Sequence, residues 1–335
     1  MSLQPVSLRH IMENPPPAPE PLLSPWLMEQ SFTVLQAAPK VGKTWLSLAA
    51  ALAVAGGGRF LGWSAPKPRK VLYVDAENGR RRIYDRMRYL IGSIEGIDPE
   101  AAIDNFDVIG KKEHEGGTKG KPFPLIDGKE GSQQYVDVVK EYGASLIVLD
   151  TMSRLVDLDD ENASAAYRPL GDTVSDLAEA GCAVLLLHHL RKGGRGSDPD
   201  AARGSGALGA TVDLQIGMSR CRKGVDDLAA FKVDAAADRD GVTMSQKAKL
   251  QLGRGAARWV NGEASTAADD GETKLERVLR VAGSGQFERQ KDLAAALGMD
   301  AGELSKLKKR AENDGDWTEG QLKAAMEAPA AAVAT

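Results

Sequence analysis

Residues 37–44 read Ala37-Ala38-Pro39-Lys40-Val41-Gly42-Lys43-Thr44. The run has the form G-x-x-x-x-G-K-[ST], with alanine in the place of the first glycine. A loop of this kind wraps backbone N–H groups around phosphate oxygens. A helix beginning at its end adds the positive pole of its dipole. Lys43 is placed to reach β- and γ-phosphates, and Thr44 to offer a hydroxyl to Mg²⁺. The ligand implied is ATP with Mg²⁺, contacted by Ala38, Pro39, Lys40, Val41, Gly42, Lys43 and Thr44. Ala37 departs from the pattern and restricts the turn, because only glycine enters the left-handed region freely.

Three further positions carry titratable groups at the ends of apolar runs. Asp150 closes SLIVLD, where a carboxylate can hold Mg²⁺ through water. The competing role is a helix-capping aspartate ahead of Thr151. Glu77 follows KVLYVD, at the carboxyl end of a strand, where open α/β sheets bind ligands. A carboxylate there can orient or deprotonate an attacking water, and Asp75 competes with it for that role. His188 and His189 follow AVLLL. Adjacent strand residues face opposite ways, so the pair does not readily share one metal. The chain has only His10 and His114 besides, which argues against zinc. One of the pair contacts the γ-phosphate, or the two form a hydrogen-bonded strand end.

Positioning these groups requires a particular set of elements. SFTVLQ from Ser31 reads as a strand ahead of the loop, and Lys43–Ala55 as an Ala/Leu-rich helix behind it. Strands at Lys70–Asp75, Asn105–Ile109, Ser145–Asp150 and Ala183–Leu187 alternate with helices at Arg80–Ile91, Ser132–Tyr142 and Ala165–Ala180. Short apolar strands alternating with helices indicate a parallel sheet covered on both faces. Asp213–Arg220 and Leu228–Val233 read as further strands at the sheet's far edge. The expected fold class is α/β, with a mostly parallel central sheet and a small C-terminal winged-helix-like helical module. The expected division is a proline-rich arm over 1–30, an ATPase core over 31–262, the module over 272–323 and a disordered tail over 324–335.

The chain has 335 residues, enough for one large and one small domain. Its 43 Lys and Arg oppose 47 Asp and Glu, which excludes a globally basic nucleic-acid coat but not a local basic groove. Two cysteines, Cys182 and Cys221, make a disulfide framework or cysteine zinc site improbable and point to a reducing compartment. The N-terminus lacks the apolar core of a signal peptide. The longest apolar stretch, near Trp45–Ala55, is shorter than the ~18 residues that span a bilayer. A cytoplasmic protein with no membrane partner is therefore expected.

Two long polar segments, Lys111–Glu130 and Arg191–Leu208, interrupt the core. The second carries Arg191, Lys192, Arg195 and Arg203 among glycines, suited to sequence-independent phosphate-backbone contacts. It holds no aromatic residue for base stacking. In the C-terminal module, Gln290–Leu297 and Ala301–Glu312 flank a glycine, the signature of a helix-turn-helix. Lys306 and Lys309 lie on the second helix, the one such motifs present to DNA, and the sequence DGDW could start a wing. Ten basic and ten acidic residues over 272–323 leave the module near neutral, so a protein-docking role competes.

Taken in order, PKVGKTWLSLAAALAVA, VLYVDAEN, LIVLDT, DEN, LLLHHLRK and RGSGAL resemble the RecA-like ATPases of the plasmid RepA replicative-helicase type. These are relatives of the DnaB helicase core, found in plasmids and phages. The likeness spans about residues 20–260. It implies that Lys43 and Thr44 bind nucleotide and Mg²⁺, that Glu77 is the catalytic glutamate and Asp150 the second acidic metal position. It implies that His189 or His188 senses the γ-phosphate. It also implies a ring, usually a hexamer, with single-stranded DNA in its channel and a replication initiator or primase as partner. Such rings borrow an arginine finger from the neighbouring subunit. The segment expected to hold it reads GATVDLQIG, with Asp213 and no arginine, which leaves Arg203, Arg220, Arg222 and Arg254 as candidates. Beside the helicase stand a recombination or repair ATPase without unwinding, and a nucleotide-dependent DNA-binding adaptor or regulator.

Overall fold

The strand that enters the loop is buried at every residue from Phe32 to Ala37, so both its faces must be covered. In chain order the computed structural model begins with α1 (Leu8–Glu13), a hairpin of β1 (Pro21–Leu23) and β2 (Leu27–Met28), β3 (Phe32–Ala37) and α2 (Lys43–Gly56). A second hairpin, β4 (Gly58–Phe60) and β5 (Trp63–Ala65), precedes β6 (Val71–Asp75), α3 (Arg80–Leu90), α4 (Pro99–Asp104) and β7 (Phe106–Gly110). Then come α5 (Glu130–Tyr142), β8 (Leu146–Asp150), α6 (Met152–Leu155), α7 (Arg168–Glu179) and β9 (Ala183–His189). The first unit ends with β10 (Leu214–Arg220), β11 (Asp227–Asp238), β12 (Ser245–Leu252) and β13 (Ala257–Gly262). A second unit, Ser265–Thr335, contains α8 (Gln290–Ala296), α9 (Ala301–Asn313) and α10 (Gln321–Glu327). The structure describes residues 4–110, 124–156, 167–189, 211–221, 227–238, 244–252 and 257–262, then 278–279, 281–283, 287, 289–297, 299–313, 318 and 320–327.

Among the described residues, the large sheet has the order β13-β12-β11-β10-β3-β9-β8-β6-β7. The run from β10 to β7 is parallel throughout. The three strands beyond β10 are antiparallel. This is the expected α/β core with a mostly parallel central sheet. Leaving β3, the chain passes over β9 and β8 to reach β6, and it returns later to the opposite side of β3 as β10. Neighbouring connections therefore diverge at the carboxyl end of β3 and leave a crevice there.

Alternation along the strands separates two cores. Val71, Tyr73, Leu146, Val148, Leu185 and Leu187 face the cluster that contains α2. Leu72, Val74, Ile147, Leu149, Val184 and Leu186 face the one built on α5 and α7. α2 is buried continuously from Leu46 to Gly56, and its alanines let it lie close to the sheet.

The proline-rich segment, expected as an arm over 1–30, is anchored to the core at its end by Trp26 and Leu27. α1 buries nothing, but the last third of the segment folds as the β1–β2 hairpin, with Leu22, Leu23, Trp26 and Leu27 in the core. The Trp26 ring meets Trp63 edge-on at 5.3 Å. Arg69 bridges Glu20 and Glu29, which flank the hairpin. The sheet also extends further than expected, through β12 and β13. In β12 only Ala248 and Leu250 are buried, and its KAKLQL run alternates polar with apolar residues, as a strand covered on one face does. In the second unit, Leu293, Ala294, Leu297, Leu304 and Leu322 share a small core. α10 runs to Glu327, past residue 324 where the disordered tail was expected to start, and residues 328–335 lie outside the described residues. The DGDW segment lies outside the described residues. No described helix is long and apolar enough to cross a membrane.

Removing a buried tryptophan typically costs about 3–5 kcal/mol, and Trp26 is 4% exposed whereas Leu8 is 73% exposed. Trp26→Ala should lower stability in equilibrium urea unfolding by about 3 kcal/mol. Leu8→Ala should change it by less than about 0.5 kcal/mol. Equal, small effects would show that the hairpin is not part of the core.

Candidate active site

The loop forms where β3 ends. Ala37 is fully buried at the strand's last position. It keeps a negative φ, so a Cβ is tolerated where the pattern has glycine. Lys40 instead takes the left-handed conformation at φ 65°, and Gly42 lies at φ 131°. A Cβ on Gly42 would stand 2.9 Å from the Phe231 ring of β11. Both conformation and space therefore require glycine there.

Lys43 turns back under the loop. Its Nζ donates to the Ala37 carbonyl at 2.9 Å and lies 3.5 Å from the Ala38 carbonyl. It also sits 3.0 Å from His189 Nδ1. An ammonium has three donors and no acceptor, so Nδ1 is the acceptor and the imidazole proton is on Nε2. That nitrogen faces Glu77 Oε2 at 3.8 Å. Burial, then the Lys43 charge, lowers the His189 pKa, which keeps the ring neutral. Burial likewise lowers Lys43 to about 8, against the pull of Asp150 and Glu77.

Asp150 is 2% exposed. Its Oδ2 accepts from Thr44 Oγ1 at 3.1 Å and from Tyr73 OH at 2.9 Å. Tyr73 in turn meets Ser47 Oγ at 2.9 Å. Burial pushes Asp150 up to about 6, opposed by the Tyr73 hydrogen bond. The Thr44 hydroxyl and Asp150 carboxylate thus converge as hard oxygen donors beside the buried ammonium. Mg²⁺ bound with phosphates and water needs only one or two such protein groups, and these two fit it. No group of three metal-ligating side chains occurs among the described residues.

Asp75, beside Asp150 in register, has a different task. It is 1% exposed, and its Oδ1 accepts from the Glu77 and Asn78 backbone N–H groups at 3.0 and 2.7 Å. The Asn78 side-chain amide reaches the same oxygen at 3.3 Å, and Asn78 Oδ1 accepts from Arg82 at 3.3 Å. Asp75 therefore shapes the turn that presents Glu77, whose side chain is 49% exposed.

Lys43, Thr44, Glu77, Asp150 and His189 line one cleft of about 510 Å³. Beyond the loop its walls include Trp45, Arg82, Arg86, Arg220, Leu228 and Ala229. His189 lines it and His188 does not, since His188 belongs to the alternate face of β9. A model described as an AAA domain matches residues 1–195. The chain belongs to the AAA-domain family. A KaiC-like protein from Pyrococcus horikoshii OT3 aligns with 71% of this chain and 93% of its own, at 15% identity and TM-score 0.46. The loop of this nucleotide-binding P-loop ATPase domain meets Asp150, Glu77 and His189 where β3, β8, β6 and β9 end.

Tyr73, Asn78 and Arg82 of this domain are not singled out by sequence pattern, whereas Asp75, the competitor for the Glu77 role, shapes the turn instead. The one signal is a tyrosine within an otherwise apolar strand, VLYVD. Arg191, Lys192, Arg195, Arg203, Arg222 and Arg254 lie outside the described residues. Lys306 and Lys309 are exposed on α9. Arg220 lies on its own chain's cleft, donating to the Pro39 carbonyl at 2.9 Å.

The ammonium form of Lys43 is the one that attracts phosphate, so binding is strong below about pH 8 and weakens above it. Metal-free ATP affinity should fall about tenfold from pH 7 to pH 9, following the charged fraction. A flat titration would contradict the burial of Lys43. Asp75→Ala should lower turnover by about tenfold to a hundredfold through misplacement of Glu77, at nearly unchanged ATP affinity. Asp75→Asn, which keeps an acceptor oxygen, should retain more activity; equal losses would point to charge rather than turn geometry.

Proposed function

We propose that this AAA domain hydrolyses ATP to drive movement on single-stranded DNA, as a replicative helicase of the RepA type. The observation that carries the hydrolytic part is the line Lys43–His189–Glu77, which joins the phosphate-binding ammonium to an accessible carboxylate. Loop N–H groups and Lys43 hold the β- and γ-phosphates. Thr44 and Asp150 would hold Mg²⁺, which would supply positive charge to the phosphate oxygens when bound.

Glu77 orients a water in line with the γ-phosphorus and accepts its proton. The water oxygen bonds to phosphorus as the bond to the β,γ-bridging oxygen breaks, giving ADP and inorganic phosphate. Neutral His189 links that event to β9, whose end leads directly into residues 190–210. The DNA part rests on the motif order and on Arg191, Lys192, Arg195 and Arg203 in that segment, with Lys306 and Lys309 as a second contact. A hexameric ring is the assembly this reading requires.

The test is ATPase activity with and without single-stranded DNA, run beside native mass and a forked-duplex assay. Wild type should be oligomeric and DNA-stimulated. Glu77→Gln should bind ATP normally and lose about 10²–10⁴-fold in turnover. Lys43→Ala with full activity would refute the site. A DNA-indifferent monomer would refute the motor, and DNA stimulation without unwinding would favour a recombination ATPase.

A further inference from the structure

Arg220 is the last residue of β10, and it reaches across to its own phosphate-binding loop. Its Nη2 donates to the Pro39 carbonyl at 2.9 Å, and its side chain is exposed on the cleft shared with Lys40 and Lys43. Among the described residues its hydrogen bond is to that neutral carbonyl, and no carboxylate pairs with it. A guanidinium carries five N–H donors in a planar fork. One is engaged here, so most of the fork and the whole charge remain for an anion in the cleft.

Two contacts fix this geometry. β10 is hydrogen-bonded along β3 as far as the pair Met218 and Ala37. On its other side Arg220 is registered against Phe231, whose buried ring packs under Gly42. The Arg220 backbone is therefore held beside the loop by a strand and by an aromatic wedge. By contrast, the segment where a neighbour-directed arginine was expected holds Asp213, whose carboxylate accepts the Phe32 N–H at 2.8 Å within the same chain.

We propose that Arg220 acts in cis: it binds the terminal phosphate of ATP held by its own loop and stabilises the charge that develops there during hydrolysis. A planar fork suits two phosphate oxygens at once. The inference rests on the ATPase reading above and adds that the arginine is not borrowed from another subunit.

The experiment compares kcat and ATP affinity for full-length wild type, Lys43→Ala, Arg220→Ala and Arg220→Lys. A co-assembled mixture of Lys43→Ala with Arg220→Ala chains is measured beside them. Arg220→Ala should lose about 10²–10³-fold in kcat while ATP affinity changes less than about threefold. Arg220→Lys should recover only part of the rate, because a point charge lacks the fork. The mixture should show no activity above the sum of its components. Wild-type turnover in Arg220→Ala, with Lys43→Ala inactive, would overturn the inference and leave the ATPase reading intact. Recovery in the mixture would overturn the cis assignment, since it requires an arginine working across subunits. Lys43→Ala as active as wild type would instead refute the ATPase reading itself.

Discussion

A buried ammonium is the constraint around which this site is built. Removing a lysine charge from water is costly unless hydrogen-bond partners replace the water. For Lys43 they are two carbonyls at the end of β3 and the imidazole of His189. To provide them, the loop must fold back over the start of α2, and the strand beside β3 must end in an acceptor. The register that pairs Ala37 with His189 does this. Burial lowers Lys43 to about 8 and holds His189 neutral, so a phosphate entering the cleft meets a cation that is incompletely compensated.

The antiparallel half of the sheet extends this constraint rather than decorating the edge. Phe231 occupies the space that a side chain on Gly42 would need, and Arg220 ties the next strand to the Pro39 carbonyl. The loop is clamped from below by an aromatic ring and from the side by a guanidinium.

Two carboxylates of the same type, adjacent in register, have been given opposite work. Asp150 faces Thr44 and Tyr73 and stays available to a metal. Asp75 accepts from the turn that follows it and so places Glu77. Their environments separate them: one looks toward the cleft floor, the other into its own backbone. The same logic divides His189 from His188, because alternation along β9 sends only one of them into the cleft.

Much of this was legible in the residues. The loop pattern, the apolar runs ending in Asp75, Asp150 and the histidine pair, and the helices between them are local signals, each set by propensity, periodicity or backbone chemistry within a few residues. They determine the α/β class, the phosphate loop and the main catalytic candidates. What they do not contain is lateral order. That β9 lies between β3 and β8, that Phe231 sits beneath Gly42, and that Arg220 returns to Pro39 across 181 positions of sequence are outcomes of packing. The polar–apolar alternation of KAKLQL in β12 is itself a local strand signal, but its antiparallel pairing with β11 and β13 is set only by packing. Sequence determines which groups can do chemistry; strand order and register decide which of them meet, because contacts between distant segments are chosen by the burial of whole faces rather than by local pattern.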